Sequence, residues 1–226
     1  MNTKGFIFDL DGVIVDTAKY HYLAWKALAK SIGIDFTVHQ NEQLKGISRE
    51  SSLNKILEWG NKTLPKDKFM ELMKEKNDQY LSYISKMDEN EILPGVTQIL
   101  DYISKQKHPI ALGSASKNSK IILKKVNLIN RFNAIIDGNN VTKAKPDPEV
   151  FLKAANAISI PANQCVVFED SVAGIQAANI ANMISIGIGN ATILNEADFV
   201  FKDFTEIHQD FLENLIKTKK EELKKV

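Results

Sequence analysis

Cysteine is nearly absent from the 226 residues: Cys165 stands alone, which excludes an internal disulfide and fits a reducing compartment. It lies in the apolar run Cys165-Val166-Val167-Phe168, where a buried small hydrophobe is a plainer reading than a reactive thiol. Arginine is scarce too. Arg49 and Arg131 are the two, so a bidentate clamp for phosphate or carboxylate is confined to two places. An excess of charge of either sign is also missing. With 29 basic and 28 acidic residues the net charge is +1, which argues against nucleic acid as a primary partner. No stretch approaches the roughly 20 apolar residues of a membrane span. The first apolar run is short and ends in acids, unlike a signal peptide. The expectation is a cytoplasmic protein with no membrane partner. Hydrophobic residues still make up 44%, enough for a core in one large domain or two small ones.

What is present is order along the chain. Apolar runs that read as buried strands recur at 6–8, 110–112, 134–136, 165–168, 183–188 and 199–201. Helical patterns at 96–105, 118–126, 148–157 and 172–179 fall between the later runs. Alternation of this kind predicts an α/β fold with a parallel sheet covered on both faces. Residues 17–87 carry no convincing strand and read as successive helices. His21, Trp25, Leu28 and Ile32 share one face of the first. Ser48 is the expected N-cap of the second, which buries Leu53, Ile56 and Leu57. Pro65 opens the third, with a stripe of Phe69, Leu72, Met73, Lys76, Tyr80 and Tyr83. The economical organisation is a sheet domain of residues 1–15 and 92–226, interrupted after its first strand by a helical domain of residues 16–91. The lysine-rich run 217–225, broken by Glu221 and Glu222, reads as a solvated last helix.

Chemistry gathers where strands end. Asp9 and Asp11 follow the first strand directly, and ligands of open α/β sheets bind at the carboxyl ends of strands. Solvation of a strand end is the bland alternative for the pair. After the second predicted strand, Ser114, Ala115 and Ser116 lead to Asn118 at a helix start, suited to an anion or to ordinary capping by Ser116. Pro146 and Pro148 hold Lys145 on a stiff turn after the third. Glu169 and Asp170 end the fourth. Two acidic pairs at one edge repel unless a cation lies between them, and hard oxygen ligands favour Mg²⁺ with substrate phosphate.

In this order, Asp9-Leu10-Asp11-Gly12, Ser114, Lys145 before Pro146, and Glu169-Asp170 resemble the four motifs of the haloacid dehalogenase superfamily of phosphotransferases. The resemblance implies a Rossmann-like parallel-sheet core with an inserted α-helical cap domain. It implies Asp9 as nucleophile and Asp11 as general acid/base, with Ser114 and Lys145 on the phosphoryl oxygens. Asp9, Asp11, Glu169 and Asp170 would form the magnesium site. Two departures stand out: Gly113 replaces an alanine of the family, and Asp137-Gly138-Asn139-Asn140 is a looser turn.

The helical insert adds Lys45, Gly46, Ser48, Arg49 and Ser52 around a helix start, which suits a second anion or merely a solvated loop. Lys76 interrupts an apolar stripe, where snorkelling is the bland explanation, and His21 has the ordinary reading of a core histidine. The loop resembles the substrate loop of the superfamily's sugar phosphomutases, and the likeness extends over nearly the whole chain. It implies a Mg²⁺-dependent isomerase acting on small sugar phosphates as a monomer. That enzyme would interconvert β-D-glucose 1-phosphate and glucose 6-phosphate, with β-glucose 1,6-bisphosphate as priming intermediate. In that reading Arg49 holds the non-transferring phosphate beside Lys45, Gly46, Ser48, Ser52 and Lys76, and His21 couples closure to Asp11. Ser114, Ala115, Ser116, Asn118 and Lys145 serve the other phosphate. A sugar-phosphate phosphatase and a non-catalytic sensor remain open alternatives.

Overall fold

The computed structural model describes residues 3–218. The apolar runs form strands β1 (Gly5–Phe8), β2 (Ile110–Gly113), β3 (Ala134–Ile136), β4 (Cys165–Glu169), β5 (Ile184–Ile188) and β6 (Phe199–Phe201). They make one sheet in the order β3-β2-β1-β4-β5-β6, and every neighbouring pair is parallel. Every residue of β1 and β4 is buried, as a central strand covered on both faces requires.

Connections between parallel strands need crossovers. Here they carry α5 (Val96–Lys105), α6 (Ser119–Lys125), α7 (Glu149–Ala157) and α8 (Val172–Ile180), and α9 (Gln209–Lys217) follows β6. The lysine-rich run passes beyond α9 and, after Thr218, lies outside the described residues. On one sheet face Phe6, Phe8 and Phe168 pack with Val96, Ile99, Leu100 and Ile103 of α5. On the other, Ile7 and Val167 meet Phe151 and Ala154 of α7 and Ala177 and Ala178 of α8. Each large side chain buried in this way stabilises the sheet by about 1.5–3 kcal/mol.

Between β1 and α5 lie α1 (Ala18–Ser31), α2 (Val38–Glu42), α3 (Arg49–Trp59) and α4 (Lys66–Ile84). Trp25, Leu28, Leu53, Ile56, Leu57 and Leu72 form a separate apolar cluster there. Ser48 caps α3, its Oγ accepting from the Ser51 N–H at 3.1 Å. Pro65 is the N-cap of α4 rather than its first helical residue. The short helix α2 has no counterpart in the sequence reading; a capping box of Thr37 and Gln40 starts it. The chain enters and leaves this helical segment side by side. The Asp16 N–H donates to the Glu91 carbonyl at 2.9 Å and the Leu93 N–H to the Ile14 carbonyl at 3.0 Å. The helices thus hang from the same sheet edge at which Asp9 follows β1.

Candidate active site

A cavity of about 310 Å³ lies between that sheet edge and the helices. Every site residue expected from the sequence lines it except Glu169. At its floor Lys145 is buried and all three of its ammonium protons have acceptors. They go to Asp9 Oδ1 at 2.6 Å, Glu169 Oε1 at 2.5 Å and the Gly113 carbonyl at 3.2 Å. Burial works against that charge, but Asp9 and Glu169 outweigh it and raise the Lys145 pKa. Burial pushes the Asp9 carboxyl well above its usual range; Lys145 opposes the rise, and Glu169, Asp11 and Asp170 add to it.

Glu169 is the expected site residue that lies behind the cavity wall. Its Oε2 accepts from both the Ser171 N–H and the Ser171 hydroxyl at 2.8 Å, while Oε1 is held by Lys145. Fully buried, it holds Lys145 in place. Gly174 permits this placement, since a Cβ there would come within 1.9 Å of the carboxylate. The Gly113 departure has a similar cause, because a Cβ would meet the Phe151 ring at 2.8 Å. The 137–140 turn before Lys145 is tied by its own side chains. Asp137 Oδ1 accepts from the Asn139 N–H at 2.9 Å, and the Asp137 N–H donates to Asn140 Oδ1 at 2.9 Å.

Asp11 sits in a different environment. The Thr17 hydroxyl donates to its Oδ1, and His21 Nε2 lies 3.8 Å from the same oxygen. Burial raises the Asp11 pKa, yet His21, Thr17 and Lys76 together outweigh it and leave the group below its usual value. Lys76 Nζ stands 3.0 Å from His21 Nδ1 and over the rings of Trp25 and Tyr80. As an ammonium it donates to Nδ1, which puts the remaining imidazole proton on the Nε2 that faces Asp11. Lys76 is only 3% exposed, so it does not snorkel. Burial and then Lys76 lower the His21 pKa, with Asp11 opposing. Thr17 and Tyr80 were not among the expected site residues; Tyr80 lies on a stripe that reads as core.

On the sheet side, Ser114 Oγ accepts from the Ser116 N–H at 3.1 Å and Ser116 Oγ from the Asn118 N–H at 3.2 Å. These successive turns shape the small-residue loop, and Asn118 rather than Ser116 is the N-cap of α6. On the helical side, Ser52 Oγ donates to the Ser48 carbonyl at 3.0 Å. With the Ser48 hydroxyl spent on capping α3, the Arg49 guanidinium is the cation that lines the cavity at that helix start. Two contacts seat the loop on the sheet portion. Lys45 Nζ approaches Asp170 Oδ2 at 3.2 Å, and Gly46 lies so close that a Cβ would come within 2.2 Å of Ser171 Oγ.

The acidic residues also test whether a divalent cation suits the site. Asp170 Oδ2 is buried with the Lys45 ammonium 3.2 Å away, and burial pushes this carboxyl up to about 7 despite Lys45. A buried carboxylate raised in this way, beside the buried Asp9, is what a hard cation relieves. Among the described residues no cluster of three or more His, Cys, Asp or Glu side chains is spaced as a metal site by itself. Mg²⁺ keeps water and substrate oxygens in its shell. Asp9 and Asp170 would hold it, and Asp11 and Glu169, the other two acids expected there, lie within electrostatic reach of Asp9.

The haloacid dehalogenase-like hydrolase family matches residues 6–188. A β-phosphoglucomutase of Bacillus subtilis is 41% identical over 212 residues, 92% of this chain and 93% of that protein. A fructose-1-phosphate phosphatase of Escherichia coli is 30% identical over 184 residues, 81% of this chain and 95% of that one. The crystal structure of a β-phosphoglucomutase from Clostridium difficile superposes with a TM-score of 0.91 at 40% identity, covering 95% of this chain and 97% of that one. The chain belongs to the haloacid dehalogenase-like hydrolase family, on the branch of the β-phosphoglucomutases.

Proposed function

We propose that this protein is a cytoplasmic β-phosphoglucomutase. It interconverts β-D-glucose 1-phosphate and glucose 6-phosphate through phosphorylated Asp9 and β-glucose 1,6-bisphosphate. The observation that carries the reading is one cavity with cationic groups on two opposed walls, Lys145 on the sheet and Arg49 on the helices. A mutase must hold two phosphates at once, whereas a phosphatase needs to hold one.

In the first half-reaction the 6-hydroxyl oxygen of glucose 1-phosphate attacks phosphorus on Asp9. Its proton passes to the Asp11 carboxylate, the bond from Asp9 to phosphorus breaks, and the bisphosphate forms. The low pKa of Asp11 supplies the ionised base for this step. The bisphosphate then turns end for end. An Asp9 carboxylate oxygen attacks the C1 phosphorus, the bond to the C1 oxygen breaks, and that oxygen takes the proton back from Asp11. Dividing the transfer at Asp9 replaces one difficult displacement by two easier ones. Lys145, fixed by Glu169, neutralises charge on the transferring group without moving. Mg²⁺ bound at Asp9 and Asp170 would add charge stabilisation to the same phosphoryl group. Residues 16–91 act as a cap over residues 1–15 and 92–226, and their closure at Gly46 and Lys45 excludes water from phosphorylated Asp9.

The test is incubation with β-glucose 1-phosphate, Mg²⁺ and catalytic β-glucose 1,6-bisphosphate. Stoichiometric glucose 6-phosphate is expected. Stoichiometric inorganic phosphate with little glucose 6-phosphate would replace this reading by a sugar-phosphate phosphatase, the activity for which the Escherichia coli relative is named.

A further inference from the structure

We infer that Asn77 is a positioning residue for the second phosphate, one that joins the two walls of the cavity through a single oxygen. The inference rests on the mutase reading above and deepens it. Asn77 lies in α4, half-buried and outside the lining of the cavity. Its Oδ1 accepts from Arg49 Nη2 at 2.6 Å and from Asn118 Nδ2 at 3.0 Å. Arg49 opens α3 on the helical wall and Asn118 opens the small-residue loop's helix on the sheet wall; both line the cavity.

The chemistry of the three groups is matched. A carboxamide oxygen has two lone pairs, and both are used here. The guanidinium carries five N–H donors and the Asn118 amide two, so each keeps protons for a ligand after serving Asn77. A neutral acceptor is what the place requires, because a carboxylate would pair with Arg49 and cancel the charge that a phosphate seeks. Asn77 therefore sets the separation of two donors that meet one phosphate. It also holds the long Arg49 side chain in place before the ligand arrives, so that less ordering remains to be done on binding.

The experiment compares wild type, Asn77→Ala, Asn77→Asp, Arg49→Ala and the Asn77→Ala/Arg49→Ala double variant. Steady-state kinetics are measured on β-glucose 1-phosphate, and phosphorylation of Asp9 by acetyl phosphate is followed alongside. Asn77→Ala is expected to raise KM roughly tenfold, the upper end of the cost of ordering one long side chain. The accompanying change in kcat should be smaller than about twofold, the mark of lost binding rather than lost chemistry. Asn77→Asp keeps the shape and the acceptor, yet should raise KM at least as far because it neutralises Arg49. In the Arg49→Ala background the Asn77→Ala effect should vanish, since the two act through one contact. If Arg49→Ala raises KM and neither Asn77 variant does, the role of Asn77 is overturned and the second phosphate site stands. If Arg49→Ala leaves KM unchanged, the second phosphate site itself is overturned. Parallel losses in kcat and in phosphorylation by acetyl phosphate in both Asn77 variants would mean that Asn77 only packs α4, and would overturn the inference as well.

Discussion

Replacing Lys76 by methionine should make the ligand-free protein more stable and less active. The ammonium is 3% exposed, 3.0 Å from His21 Nδ1, and 4.6 and 4.7 Å from the Trp25 and Tyr80 ring centroids. Burial, and then Arg49, brings its pKa from 10.5 down to about 7, with Asp11 opposing. The unfolded chain keeps the proton up to its higher pKa, while the folded chain releases it near 7. Across that window the unfolded state binds more protons, so stability rises with pH; below it the full penalty of the buried charge is present. At neutral pH this penalty is about 4 kcal/mol. Two ring contacts offset about 1–2 kcal/mol of it, and the hydrogen bond to His21 about 1 kcal/mol. Methionine fills the same slot without charge, so Lys76→Met is expected to gain roughly 1–2 kcal/mol, or a Tm higher by roughly 2–8 °C. Turnover of hexose phosphate should fall at least about tenfold, because His21 loses the donor that fixes its tautomer. Calorimetry at about pH 7 and about pH 9 provides the check, since the gap between variant and wild type must narrow as Lys76 discharges. A lower Tm for Lys76→Met, or a gap insensitive to pH, would refute the assignment of a buried, costly ammonium.

Three further outcomes are expected. Lys145→Ala strands Asp9 and Glu169 without their shared cation and should destabilise the fold by about 3–5 kcal/mol, read from urea unfolding; a loss under about 1 kcal/mol would contradict a buried pairing. Gly46→Ala forces a side chain onto a φ of +74° and to within 2.2 Å of Ser171 Oγ. It should lower kcat/KM by about tenfold or more through impaired closure while Tm moves by only a few degrees, and a wild-type kcat/KM would refute it. Asp170, raised to about 7, must lose its proton to hold Mg²⁺. Apparent Mg²⁺ affinity should therefore fall steadily from about pH 8 to about pH 6; a flat profile in metal titrations would show that Asp170 does not hold the ion.

The sheet was legible because a strand buried on both faces has to be a continuous apolar run, and such runs are visible at β1, β4 and β5. Asp9, Asp11 and Lys145 were legible for a related reason, since parallel strands deliver their carboxyl ends to one edge. What the sequence concealed depends on side-chain direction. Glu169 and Asp170 read as equivalent acids, but the last position of β4 turns inward onto Lys145 and the next faces the cavity. Helix α2 escaped because five residues carry too little periodicity, although Thr37 and Gln40 at capping-box spacing were a usable sign. Tyr80 looked like any member of an apolar stripe. The partners of Thr17 and Asn77 are set by how the helices meet the sheet.

The central position of β1 has a consequence for how the molecule is made. Phe6 pairs with Ile110 on one side and Val166 on the other, so the sheet's first strand waits for neighbours that lie far along the chain. Until both arrive, an entirely apolar segment keeps an unpaired edge, and contacts this distant in sequence form slowly. Its four residues are short, and the carboxylates of Asp9 and Asp11 follow at once. The same acids that serve the finished site thus stand guard on the unfinished chain, as charges flanking a sticky strand do elsewhere.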